Sequence, residues 1–355
     1  FGNRVSQPSI FEDNVGTGMT NAEGVKQGYG FVGSTNLGTP WGYLDQNLIL
    51  RGNTLNGFAV GVKAEAESDS ANSPYTAKTI TLDASGNDLS GNDQTILRGD
   101  EGNYLVTTPA NWYGTNLGSE ILAKIDSRLD FTPWLSTGTD TDTEAVGFQA
   151  DYSALHVGSV GEQMGTVNRV QEGIDLVTPG GTVSVEPGRY TGAVTIKKAL
   201  TLASTGGAEA TTLYAGDLPT DGIYMVDIQS SDVTLNGFTI TSPNYDQPAA
   251  DLTGVMVGSY GQRNLTNIVV TNNQITQIGA STRLVGIDDY PSVGITVNGV
   301  IDGLQITNNK IYEIHQTVSD PAVSWGPTGI GYYGHEDPPY STKVLISGNE
   351  ISNIS

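Results

Sequence analysis

The chain has 355 residues, 46 of them glycine and none cysteine, and only 15% are charged, a balance that favours many corners over long helices and argues against a helical bundle. Its 16 Lys and Arg against 38 Asp and Glu leave a net charge of −22, which repels nucleic acid and anionic membranes and attracts divalent cations. Without cysteine there are neither disulfides nor thiolate metal sites, and no apolar run approaches the roughly 20 residues that insert across a bilayer.

In chain order, the opening at Phe1, neither a Met nor a signal peptide, reads as an internal or processed start. Residues 1–40 are rich in Gly, Asn and Thr and read as loops and partial coils. From Leu48 a repeat emerges: Leu48, Leu50, Asn53, Leu55 and Phe58 stand at offsets 0, 2, 5, 7 and 10. The same offsets recur in Ile268, Val270, Asn273, Ile275 and Ile278, in Leu304, Ile306, Asn309, Ile311 and Ile314, and in Val344, Ile346, Asn349, Ile351 and Ile354. Each copy reads as strand, corner, strand, with its apolar positions inward. Asparagine tolerates left-handed backbone, and its amide can bond a neighbouring coil, so Asn53, Asn273, Asn309 and Asn349 are predicted to be structural. Val233, Leu235, Phe238 and Ile240 keep the frame with Phe at the Asn position.

Residues 111–135 carry Trp112, Phe131 and Trp134, predicted to plug the end of a stack. Residues 136–165 are polar and acidic. There Asp140, Asp142, Glu144 and Asp151 fall at positions 1, 3, 5 and 12 of a loop, the spacing of hard oxygen ligands for Ca2+. Ala145 stands where an EF-hand needs glycine, and a solvated acidic linker is the competing reading. Next, Val167, Val170, Ile174 and Val177 predict a helix of about three turns, N-capped by Thr166 and stopped by Pro179-Gly180-Gly181. The period then changes to two, at Val183 and Val185, Val194 and Ile196, and Leu200 and Leu202. A short amphipathic helix feeding strands with tight corners suits a cap over the open end of a parallel β-helix.

This arrangement resembles the opening of the right-handed parallel β-helix repeat proteins of the pectate-lyase-like superfamily, in their NosD-like, surface-protein form. Asn111-Trp112-Tyr113-Gly114 is similar to their closing segment, which commonly reads Asn-Trp-Trp-Gly. The resemblance implies an all-β, right-handed parallel β-helix (solenoid) in which residues 1–135 are the C-terminal coils and end cap of a first β-helix. Residues 136–165 are then a linker, and 166–355 the capping helix and N-terminal coils of a second. Successive later copies of the repeat lie 36 and 40 residues apart against roughly twenty-odd for a minimal coil, so loops project near 279–292 and 315–341.

Those loops hold the candidate carbohydrate contacts. Asp288 and Asp289 pair two carboxylates, and Trp325, Tyr332 and Tyr333 offer faces for sugar rings. Of the motifs that the superfamily's polygalacturonase-like enzymes combine, only Asp288-Asp289 has a counterpart, and Gly334-His335-Glu336 is not their Gly-His-Gly. No basic residue near Arg263, Arg283 or Lys310 stands in a pectate-lyase-like motif, so no catalytic residue is assigned. The leading expectation is a structural or adhesive segment of a large extracellular or cell-surface protein. Its partners would be further repeats or head-to-tail copies of itself, with Ca2+ the one candidate cofactor. The alternative is a polysaccharide-binding or polysaccharide-cleaving protein acting on glycans.

Overall fold

A computed structural model describes residues 7–36, 44–66, 78–163, 167–214, 223–242, 252–258, 264–279, 284–285, 291–318, 326–333 and 340–355. The protein is mostly β, built of parallel sheets in the manner of an all-β solenoid. It divides into two compact units, one of residues 1–156 and 160–165 and the other of residues 157–159 and 166–355.

In the first unit the strands Ser9–Glu12, Gln46–Arg51, Thr79–Ser85 and Asn103–Thr107 pair successively in parallel. A second parallel sheet stacks Tyr29–Ser34, Val60–Glu65 and Gln94–Arg98. The period of two places alternate residues inside, and the register sets like on like: Leu48 lies opposite Leu82, and Leu50 opposite Ala84. Leu48, Leu50, Leu55, Val62, Ile80, Leu82, Leu89 and Ile96 share one buried core.

That core is closed by Tyr113, Phe131 and Trp134, all buried, with ring centroids 6.4 Å apart for Tyr113 and Phe131 and 5.7 Å for Phe131 and Trp134. The plug expected at Trp112 belongs to Tyr113. Adjacent residues in extended chain face opposite ways, and Trp112 is half-buried on the outside, where it leaves no room for a side chain at Gly138.

The acidic stretch that follows lies along the first unit. Phe148 is buried and donates its N–H to Gly52 O at 2.7 Å. Gly147, at φ +96°, sits so close that a Cβ there would fall 2.3 Å from Gly52 O and 2.6 Å from Asp13 Cα. Tyr152 brings its hydroxyl against Gly86. Asp13, Gly52 and Gly86 are equivalent corners of successive coils, so this segment is a strap across the stack. It ends in the strand Ala154–Val157, which pairs antiparallel with Trp134–Leu135.

The second unit opens with the helix Arg169–Leu176, eight residues long and shorter than the predicted three turns. Its N-cap is Asn168, whose side chain accepts from Gln171 N at 2.9 Å; Thr166, expected in that role, lies outside the described residues. Val170, Ile174 and Val177 are buried, whereas Val167 precedes the helix and is exposed. Gly173 lets the helix approach closely, since a Cβ there would lie 2.8 Å from Val157 and 3.0 Å from Val183.

Thereafter the chain visits three parallel sheets in rotation. One collects Gly181–Val185, Leu200–Ser204, Val233–Asn236, Ile268–Thr271, Gln305–Thr307 and Leu345–Ser347. The next collects Gly188–Thr191, Thr211–Tyr214, Thr239–Ser242, Gln274–Ile278, Lys310–Ile314 and Glu350–Ile354. The third collects Val194–Ile196, Ile223–Ile228, Leu252–Val257, Ser292–Asn298 and Thr328–Tyr333. The repeat stacks in register: Val270, Ile306 and Ile346 align, as do Ile275, Ile311 and Ile351, and Ile278, Ile314 and Ile354.

Candidate functional site

The most regular chemistry in the protein is at the corner between the first two strands of each coil. In the first unit Asn14, Asn53, Asn87 and Asn111 form a ladder with a fixed direction. Each Oδ1 accepts both the backbone N–H and the Nδ2 of the asparagine one coil earlier. Asn53 accepts from Asn14 at 3.0 and 2.8 Å, Asn87 from Asn53 at 3.0 and 2.9 Å, and Asn111 from Asn87 at 2.8 and 3.0 Å. A remaining Nδ2 proton bonds a strand carbonyl, as Asn87 does to Leu50 O. Asn111 ends the ladder on Tyr113, whose hydroxyl accepts from Asn111 Nδ2 at 3.3 Å and donates to Thr108 O at 2.9 Å. Burial holds the Tyr113 phenol neutral, with its pKa pushed up to about 12.

In the second unit Phe238 N–H donates to Asn273 Oδ1 at 3.0 Å, Asn273 donates to Asn309 at 3.0 and 3.1 Å, and Asn309 to Asn349 at 3.0 and 3.0 Å. Phe238 fits the Asn position because the first member of a ladder needs to supply only its backbone N–H. Asn53, Asn273 and Asn309 are fully buried, so their amides bond groups that water does not reach. Sequence reading missed Asn14, Asn87 and Asn111. For Asn87 and Asn111 the frame is present, in Leu82, Ala84, Asn87 and Leu89 and in Val106, Thr108, Asn111 and Tyr113, but Ala84 and Thr108 weaken the apolar signal.

The left-handed backbone expected at these asparagines belongs to the residue before each of them. Asp13, Gly52, Gly86 and Ala110 have φ of 56°, 64°, 67° and 54°, and Asn272, Asn308 and Gly348 of 55°, 56° and 69°. That residue turns the chain inward, and the ladder asparagine follows with its side chain along the stack.

The carboxylates of the acidic stretch bond to backbone nearby. Asp140 Oδ1 accepts from the backbone of Asp142 and Gln149, Asp142 Oδ1 from Glu144 N, and Asp151 Oδ1 from Ser153 N. These carboxylates serve local turns. Among the described residues no group of three or more His, Asp or Glu could hold a metal ion. Asp288, Asp289 and Trp325 lie outside the described residues. Tyr332 is 40% exposed, and Tyr333 is half-buried beside it.

His156 is the most unusual titratable group. It stacks on Trp134 at 5.7 Å and 21°, its Nδ1 is buried without a partner, and burial pushes its pKa below the usual imidazole value. Asp227 is pushed up by burial, offset in part by Gln229 and Lys197. A groove of about 480 Å³ beside the helix is lined by Gln171, Ile174, Asp175, Thr195, Lys197 and Lys198. Its groups bond one another: Gln171 bridges Asp175 and Thr195, and Lys198 Nζ donates to Asp175 O at 2.7 Å. No family model, no curated protein and no solved structure matches this chain.

Proposed function

We propose that this chain is a structural or adhesive segment of a large extracellular or cell-surface repeat protein, built from right-handed parallel β-helices in tandem. The observation that carries the reading is the double occurrence of one design, two units each with its own stacked core and its own asparagine ladder. Rotation through three parallel sheets is the path of a β-helix, and right-handed crossover between parallel strands is the general rule for such connections. Coils held by continuous backbone ladders about 4.8 Å apart make a stiff rod, suited to extending a chain or bearing load. The resemblance to NosD-like and surface-protein members of the pectate-lyase-like superfamily points the same way. Electron microscopy of material from the native source tests it. Filaments or arrays with a regular axial repeat support the reading, and dispersed single particles refute it.

The second reading, a polysaccharide-binding or polysaccharide-cleaving protein, draws on the exposed Tyr332 and on Tyr340, which is 62% exposed. It predicts saturable glycan binding, lost on replacing Trp325 or the Asp288 and Asp289 pair. A polysaccharide panel showing neither binding nor cleavage removes it.

A further inference from the structure

Arg98 stands in an inward column of the first unit. It pairs in register with Ala64, which is completely buried, and Tyr104 and Val106 take the inward places opposite buried Ile80 and Leu82. A cation in such a column is expected to run its stem along the core and to meet water or a carboxylate at its tip. The Arg98 guanidinium lies 5.3 Å from the centroid of the Tyr104 ring, but its Nε is buried without an acceptor. No carboxylate among the described residues pairs with it, in a chain with 38 Asp and Glu. The ring offsets part of the charge and leaves the buried N–H unsatisfied.

Beside it lies a cavity of about 130 Å³, the liquid volume of about four waters, lined by Arg98, Tyr104, Val106, Arg128, Leu129 and Glu162. Its walls are held in place. The Tyr104 hydroxyl accepts the Ala66 N–H at 2.7 Å. Arg128 donates to the two oxygens of Asp126 at 2.8 and 2.6 Å and to Asp100 Oδ1 at 3.2 Å, so its charge is already matched. Gly161, at φ +86°, packs so closely that a Cβ there would fall 3.0 Å from the Phe131 ring and 3.2 Å from Leu129 O, and this places Glu162. The Glu162 side chain is exposed and pairs with no cation among the described residues. One positive and one negative charge thus line the same cavity without pairing with each other.

We propose that this cavity binds a small zwitterion of the α-amino acid class, its carboxylate on the Arg98 guanidinium and its ammonium on Glu162. A simple anion would meet Glu162 and the chain's net charge of −22, and a simple cation would meet Arg98. A zwitterion complements both groups and carries no net charge, while Val106 and Leu129 supply an apolar lining for a small side chain. The lining comes from the strands Gln94–Arg98 and Asn103–Thr107 and from the segments that close over them, so a bound ligand ties the closing segments to the stack. The site holds whether or not the chain builds filaments.

Calorimetric titration of the full 355-residue chain with glycine tests this, beside acetate and methylammonium at equal ionic strength, each carrying one of glycine's two charges. The expected result is saturable glycine binding with a millimolar or tighter Kd, within reach of a ligand of about five non-hydrogen atoms. Acetate and methylammonium bind at least about ten-fold more weakly, or 1.4 kcal/mol. Arg98→Met keeps an apolar stem against Tyr104, and Glu162→Gln changes an exposed side chain; each weakens glycine binding at least about ten-fold. Thermal melts without glycine show that the variants fold, and if Arg98→Met does not, Glu162→Gln decides. The proposal is overturned by a parent chain that does not bind glycine, by acetate binding as tightly as glycine, or by Glu162→Gln binding like the parent. Non-additive losses of stability in the two variants and their double variant, with no glycine bound by the parent, would assign the two charges to each other and overturn it as well.

Discussion

Replacing Asn309 by alanine tests the ladder where it is driest. The Asn309 side chain is fully buried and makes four bonds: its Oδ1 accepts two protons from Asn273, and its Nδ2 donates to Val270 O and Asn349 Oδ1. Alanine leaves the Asn273 N–H and one Nδ2 proton without partners, in a residue that is itself fully buried. At about 1–3 kcal/mol for each buried unsatisfied group, the loss is about 3–5 kcal/mol, since relaxation recovers part of the total. Asn349→Ala deletes the same two acceptor bonds, but on a half-exposed coil where water replaces the lost oxygen, so its cost is about 1 kcal/mol. Denaturant unfolding measures the pair, and hydrogen exchange at the Asn273 amide locates the effect. Equal costs for the two variants, or less than about 1 kcal/mol for Asn309→Ala, would show that the corner amides are incidental to coil stacking.

Gly147→Val forces a side chain into Gly52 O at a left-handed φ and is expected to destabilise the first unit by about 2–4 kcal/mol in chemical denaturation; a neutral result would mean that the strap is not packed. For His156, whose folded pKa is lowered, the neutral form is favoured in the fold. Its contribution is therefore complete above the unfolded value near 6.5 and is lost as pH falls toward the folded value. The melting temperature should drop from pH 7.5 to 5 less steeply in His156→Phe than in the parent, and identical slopes would refute the assignment. Asp227 has the opposite sign, because its folded pKa is raised: its neutral form suits the fold at acid pH, and that stability is lost as pH rises through the folded value. Asp227→Asn should therefore raise the melting temperature at pH 7 and leave it unchanged near pH 3, a comparison scanning calorimetry makes directly.

The parts of this molecule legible in its sequence are those that recur. The offsets of Ile268, Val270, Asn273, Ile275 and Ile278 predict two strands and a corner because inward residues in a stack must meet inward residues, and the register bears this out. What stayed hidden depends on a single step of alternation or on contacts far apart in sequence. Whether Trp112 or Tyr113 faces the core is decided by the turn at Ala110, whose φ of 54° has no glycine to announce it. The strap at Gly147 and Phe148 is silent because its partners, Gly52 and Asp13, lie about a hundred residues earlier and bond through backbone. Thr166 and Asn168 are both good caps by residue type, and the start of the helix picks between them.

The ladder also explains how such a protein tolerates coils of unequal length. Successive ladder asparagines are 39, 34 and 24 residues apart in the first unit and 36 and 40 in the second, yet every step keeps its acceptor distance between 2.8 and 3.1 Å. The stack therefore constrains the eleven-residue strand-corner-strand frame and leaves the return path nearly free. Lengthening a return path costs little, about 0.6 kcal/mol for each doubling of a flexible loop, whereas a change at the corner strands buried donors. Changes of length or sequence in the returns can then be absorbed without disturbing the stacked corners. Packing within the stack and the variable returns thus fall on different residues, which is why the corners are legible in the sequence and the returns are not.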